Sequence, residues 1–369
     1  MSGPEWNRVR DRSGEPHREP GAMNLNRYEL ERPNQGPIQT FLKLPYCLTP
    51  EDLRAAGAEV AICGVPFEMA ISRSGMAYGP MAIRSCDYLS SPPFERNHLG
   101  VRVDPLQVLT VVDYGDAAVT PFNIEATHAS VRAFVGEIAE AGAIPIILGG
   151  DHSITWPNVA AMADRYGPGK VGVVHFDAHA DTADVVFGSL ASHASPIRRL
   201  IEDEHIPGRN FVQVGLRGYW PGGSDLAWME KHGLRSHFMT EIVEDGIDAV
   251  VDRAVAEALD GPEFLYISLD IDVLDPAYAP GTGGIEPGGL TTRELLPAIR
   301  RLAHEVGIVG MDVVEVCPPF DTPNPITAMA ANRAVLEALT GLAMRKLKLP
   351  GPHYLDPKSR GGPAASSQP

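Results

Sequence analysis

Short apolar runs rich in Val and Ile recur along the chain, closed by polar or glycine-bearing residues and separated by stretches of helical spacing. Strands are predicted at 60–64, 108–113, 144–148, 171–176, 211–214, 264–270 and 308–316. Segments such as 123–141 and 244–259 place their apolar residues at helical intervals. Strands alternating with helices predict an α/β fold built on a central, mostly parallel sheet, with helices on both faces. Two stretches interrupt the pattern, 67–80 and 275–289. In the second, Pro276, Pro280, Gly281, Gly283, Gly284, Pro287, Gly288 and Gly289 exclude regular structure. Long loops beside strand ends shape pockets.

At 369 residues the chain can bury an extensive core, and nothing in it demands a second domain. One domain is expected over 23–350, with a disordered extension at 1–22 and a flexible Pro/Gly/Ser tail at 351–369. The 31 basic residues against 47 acidic ones leave a net charge of −16, which argues against nucleic acid or an anionic membrane as partner. Cys47, Cys63, Cys86 and Cys317 show no paired spacing and read as reduced thiols. With no apolar stretch of signal-peptide or membrane-spanning character, a cytoplasmic protein is expected.

Candidate chemistry gathers where three of the apolar runs end. These stretches are Gly149-Gly150-Asp151-His152-Ser153, His175-Phe176-Asp177-Ala178-His179-Ala180-Asp181, and Ser268-Leu269-Asp270-Ile271-Asp272, the last running on through Asp275 to Gly283. Strand ends of a parallel sheet are where ligands collect. In extended backbone Asp177, His179 and Asp181 share a face, as do Asp270 and Asp272. Massed carboxylates repel one another unless cations neutralise them. A mixed set of imidazole nitrogens and carboxylate oxygens suits Mn, Fe, Ni or Zn better than Ca or Mg. Taken singly, Asp-x-His-x-Asp also fits a solvated strand end, and Gly-Asp-His a capped turn; together the clusters point to one paired-metal site. Two cations about 3.5–4 Å apart share a water and lower its pKa towards neutrality, so hydrolysis is the expected reaction class. His175 is expected behind the ligands, and Asp151 is expected to orient His152 or the adjacent backbone.

The three clusters, with Gly64-Val65-Pro66-Phe67 and Asp312-Val313-Val314-Glu315-Val316, resemble the ureohydrolases, the family of arginase and agmatinase, over 60–344. The likeness is to an agmatinase-like member. It implies a three-layer α/β/α fold, a homo-oligomer (trimer or hexamer) and two Mn2+ per subunit, with Ni2+ as the alternative. It implies His152, Asp177, Asp181 and Asp270 around one ion and His179, Asp177, Asp270 and Asp272 around the other, with Asp177 and Asp270 bridging. Glu315 matches the carboxylate that pairs with a guanidinium, and Asp181 would accept a hydrogen bond from the attacking hydroxide. His193 stands about where the family keeps a histidine that passes a proton to the departing amine. Structural roles remain the alternatives for Glu315 and His193.

The implied reaction releases urea and an amine from a linear guanidino compound. Arginases carry Asn and Ser soon after the Asp-x-His-x-Asp run, where this chain has Thr182-Ala183-Asp184, so arginine is disfavoured. Agmatine is the first expectation, because an acidic protein attracts a dication. Guanidinobutyrate, guanidinopropionate and guanidine itself are the alternatives. Glu68, Arg73, Met76 and Arg217 are the candidate tail-reading residues. The loop 67–75 carries Ala70 in place of a customary Gly and is apolar at Met69 and Ile71. In Gly281-Thr282-Gly283-Gly284-Ile285-Glu286 the Thr-Pro that relatives show after the second Gly is replaced. Hydrolysis of a formimino group, and a non-catalytic binding or assembly subunit, are the rival readings.

Overall fold

A computed structural model of the chain describes residues 19–23, 39–69, 73–87 and 96–349. The expected flexible tail, nearly all of the N-terminal extension, and Ala70 and Ile71 of the first loop lie outside the described residues.

Eight strands form one sheet: β1 Val60–Gly64, β2 Val111–Asp116, β3 Ile144–Leu148, β4 Val171–Phe176, β5 Phe211–Leu216, β6 Arg235–Phe238, β7 Phe264–Asp270 and β8 Gly310–Val314. Their order is β2-β1-β3-β8-β7-β4-β5-β6, and every pairing between them is parallel. Between β3 and β4 the chain skips two places, which β8 and β7 fill later. Four strands distant in sequence therefore lie side by side at the centre with their carboxyl ends on one edge.

The strands are buried on both faces, and successive side chains separate accordingly. Val60 and Ile62 pack into one apolar cluster with the helices Ile247–Ala258, Thr292–Glu305 and Ile326–Lys346. Ala61 and Cys63 pack into another, with Ile124–Glu140, Thr155–Tyr166 and Pro196–Glu202. The same alternation splits Leu265, Ile267 and Leu269 from Tyr266. The result is a sheet between two helical layers, the α/β/α arrangement expected from the resemblance.

Several sequence expectations shift. The strand expected at 308–316 is limited to Gly310–Val314, and the one at 211–214 runs on to Leu216. The strand expected at 108–113 begins later, because Asp104 caps a helical turn at Pro105–Val108. Segment 244–259 is divided at Gly246, whose φ of 84° separates Met239–Asp245 from Ile247–Ala258. The irregular stretch 67–80 ends in a 3-10 turn at Met76–Tyr78 and the start of the helix Gly79–Ser85. Strand β6 is unpredicted; of its four residues only His237 is buried, so it lacks the apolar run that marks the others.

Candidate functional site

The three sequence clusters and Glu315 converge at the carboxyl edge of β3, β8, β7 and β4. Asp151 ends the run after β3 and caps the turn His152–Ile154: its Oδ1 accepts from Ser153 N at 3.0 Å and Ser153 Oγ at 2.5 Å, while Oδ2 accepts from Met69 N. This fixes His152 and ties the first loop to the site, as expected of Asp151. The backbone N–H of His152 donates to Glu315 Oε1 at 2.8 Å, joining the ends of β3 and β8. Glu315 and Asp181 both have positive φ, 65° and 50°, a costly conformation for residues with a Cβ.

Carboxylates surround the two imidazoles. His152 Nδ1 lies 3.1 Å from Asp177 Oδ2, 2.9 Å from Asp181 Oδ2 and 3.1 Å from Asp270 Oδ2. His179 Nδ1 lies 3.0 Å from Asp272 Oδ2 and 3.6 Å from Asp177 Oδ1. Backbone amides orient the acids: Asp272 N donates to Asp270 Oδ1, Ala178 N to Asp272 Oδ1 and His179 N to Asp177 Oδ1. His175 Nε2 reaches Asp177 Oδ2 at 2.9 Å from within the sheet, and His175 does not line the cavity.

A buried network beneath this group fixes the ring of His152. Asp312 Oδ1 accepts from Ser268 Oγ at 2.8 Å, and its Oδ2 accepts from Tyr266, Thr155 and Asn158 at 2.8–3.1 Å. With its single proton given to Asp312, Ser268 faces His152 Nε2, 3.4 Å away, as an acceptor. The neutral ring then carries its proton on Nε2 and presents the Nδ1 lone pair to three carboxylates. Such a grouping is repulsive unless positive charge sits among it.

The residues fit divalent cations on this ground. Although fully surrounded, His152 Nδ1 and Asp177 Oδ2 lack any partner in hydrogen-bonding geometry. Donor atoms of Asp177, His179 and Asp272 lie within 4.8 Å of one another, as do those of His152, His175 and Asp177, so Asp177 is common to both groups. The electrostatics of the group point the same way. Burial opposes charge on the imidazoles, yet the surrounding carboxylates hold His152 well above its ordinary range and raise His179 to about 12. Burial, with Asp272 and Asp177 alongside, keeps Asp270 well above the usual carboxylate range, and burial and Asp177 raise Asp272. Burial would also raise Asp177, but His175, His152 and His179 hold it well below.

Above the cluster opens a cavity of about 480 Å³ lined by Met76, His179, Asp181, His193, Ala194, Trp220, Asp270, Asp272, Gly283, Gly284 and Glu315. His193 has a buried, unpartnered Nδ1. Burial and the charge of Asp151 push Glu315 well above the carboxylate range.

Of the tail-reading candidates, Met76 lines this cavity. Glu68 instead folds its own loop, accepting from Ser74 Oγ and from the amides of Gly75 and Ala77. Arg73 donates to Thr282 O at 3.3 Å and stacks on Phe320, tying the first loop to the glycine-rich one. Arg217 donates to the carbonyls of Gly215, Asp272, Val273, Leu274 and Glu286, clamping the turn that carries Asp272. A guanidinium has five N–H donors and these contacts engage all of its nitrogens, which leaves Arg217 a buttress rather than a wall of the cavity. Trp220, Ala194 and Asp312 belong to the site without having been singled out for it. Asp312 lies in a motif already noted, but Trp220 follows no spacing that marks it.

Gly283 marks how tightly the cavity is fitted, since a methyl there would overlap Oε2 of Glu315. Gly283→Ala is therefore expected to displace that carboxylate and lower kcat/KM by about 10²-fold, the scale of a misplacement near 1 Å. Metal content, read by elemental analysis, should stay at the wild-type level.

A family model, described as the arginase family, matches residues 58–341, close to the span of the sequence resemblance. The chain is 36% identical over 303 residues to guanidinobutyrase from Pseudomonas aeruginosa, covering 82% of this chain and 92% of that protein. It is 36% identical over 286 residues to mitochondrial agmatinase from Gallus gallus, covering 77% and 81%. The solved structure of proclavaminate amidino hydrolase from Streptomyces clavuligerus superposes with a TM-score of 0.74 at 33% identity, over 84% of this chain and 98% of that one. No described helix is long and apolar enough to cross a membrane. A family match over most of the length, with amidinohydrolases among its relatives, sets aside the reading as a non-catalytic subunit: the chain belongs to the arginase family and is a guanidino-hydrolysing amidinohydrolase.

Proposed function

We propose that this enzyme hydrolyses a linear guanidino compound with a cationic tail, agmatine first, to urea and the corresponding amine. The observation that carries the reading is that, among the described residues lining the cavity, there is no Lys or Arg to pair with an anionic tail, the lining acids being committed to the ions and the guanidinium. The net charge of −16 adds a field that draws in a dication.

His152, Asp177, Asp181 and Asp270 would hold one divalent ion, and His179, Asp177, Asp270 and Asp272 the other, with Mn2+ as the first expectation and Ni2+ as the alternative. When bound, such a pair supplies a water of lowered pKa and a fixed position. Glu315 binds the planar guanidinium through charge-assisted hydrogen bonds and aims its carbon at the cluster. Asp181 accepts a hydrogen bond from the attacking oxygen and orients it. Water adds to the guanidinium carbon, the bond from that carbon to the tail nitrogen breaks, and His193 delivers a proton to the departing nitrogen. Urea and a free amine result.

Guanidinobutyrate is the second reading, favoured by 36% identity to a guanidinobutyrase aligned over 92% of its length. A homo-oligomer, trimer or hexamer, in the cytoplasm belongs to the same proposal. Urea release from agmatine, guanidinobutyrate, guanidinopropionate and guanidine, each with Mn2+ and with Ni2+, is the test. Agmatine is expected to lead by at least about tenfold in kcat/KM, a difference of about 1.4 kcal/mol. A preference for guanidinobutyrate would replace the first reading with the second, and formamide in place of urea would overturn both.

A further inference from the structure

Beside the cavity over the acidic cluster lies another, of about 250 Å³, and Trp220 lines both. Leu216, Leu226, Met229 and Phe238 make this annex apolar. Leu216 and Met229 also pack with Ala180, between His179 and Asp181, so the annex backs directly onto a run that supplies the cluster. Its charged neighbour, Arg217, is engaged by backbone carbonyls. Apart from Tyr219, the other side chains of its lining are apolar, so the space suits an apolar group whose polar head is held elsewhere. The indole stands between the two, edge-on to His179 with ring centroids 6.4 Å apart at 62°, and is 37% exposed.

Resting on the function proposed above, we infer that Trp220 is the specificity gate of the site, walling the substrate cavity off from an apolar annex. With the indole in place, a tail leaving a guanidinium at Glu315 meets an aromatic wall. A short ammonium tail gains a cation–π contact there. A bulky apolar tail is excluded from the space that would receive it.

The test compares agmatine with 4-phenylbutylguanidine, by urea release and by calorimetric binding to the metal-loaded protein. Trp220→Ala is expected to raise the phenylbutyl-to-agmatine ratio of kcat/KM more than tenfold, mainly through KM, with the same shift in binding. Trp220→Phe, which restores an aromatic wall, should stay within about threefold of wild type. Trp220→Ala/Met229→Trp, which refills the annex from another of its lining positions, should cancel the gain. A ratio for Trp220→Ala within twofold of wild type, or a gain that survives the second substitution, would overturn the gate. Binding decides this independently of turnover. If the wild-type protein released urea from no guanidino compound, the proposed function would fail while the binding ratios still judged Trp220.

Discussion

Asp177→Ala is expected to empty the cluster and abolish urea release. Asp177 is fully buried, contacts His152 and His175, accepts from the amide of His179, and is shared by both groups of donor atoms. Removing it opens both groups at once, whereas removing Asp272 opens one. Stabilisation by catalytic cations is worth several kcal/mol, and each 1.36 kcal/mol is tenfold, so the rate should fall by at least about 10³-fold. Asp270→Ala should behave alike, because its carboxylate joins the group at His152 and orients Asp272. The fold should survive in both variants. Elemental analysis should find the metal gone from both, but the ion-free proteins should differ. Asp270 is charged at a cost there, so Asp270→Ala should keep or raise the wild-type melting temperature, whereas Asp177 is held ionised by His175, His152 and His179, so Asp177→Ala should lower it. The wild type should melt higher with added metal, as binding to the native state requires, and the variants should not. Two retained ions and near-normal turnover in either variant would refute the shared role.

Most of this centre was legible in the chain because parallel-sheet geometry makes it so. Strands such as 144–148, 171–176 and 264–270 are buried on both faces, so they announce themselves as apolar runs, and the residues just beyond them must share an edge. What stayed hidden depends on contacts between loops. Arg217 looked like a substrate-reading cation, but the carbonyl of Gly215 in β5 and four carbonyls from the stretch after β7 engage it first, and no spacing rule reveals that. Arg73 was hidden for the same reason, since its partners are a carbonyl and an aromatic face in other turns, and Glu68 was hidden because its partners are a hydroxyl and amides folded back within its own loop. Trp220 enters the cavity from the end of β5, where no polar pattern marks it. Strand β6 escaped notice because an edge strand with one buried residue has no apolar signature.

Glu315→Gln is expected to keep both ions and lose turnover. The amide is nearly the same shape and still offers an oxygen to the backbone N–H of His152, now 2.8 Å from Oε1, so the junction of β3 and β8 should hold. What disappears is a negative charge in a buried site, at the point where a guanidinium would dock. In the free protein that charge is costly: burial and the neighbouring Asp151 push Glu315 well above the carboxylate range. An arriving guanidinium offsets both effects, so the interaction is strongest when the cation is in place. Losing a preorganised electrostatic contact of this kind costs about 10²–10³ in kcat. The same substitution relieves the repulsion with Asp151, so the variant should unfold at a higher denaturant concentration than wild type while being far less active, the trade expected where an active site carries strain. Metal stoichiometry, kcat and the denaturation midpoint separate the possibilities. Unchanged kinetics would remove Glu315 from the substrate, whereas lost metal would make it a support for His152 instead.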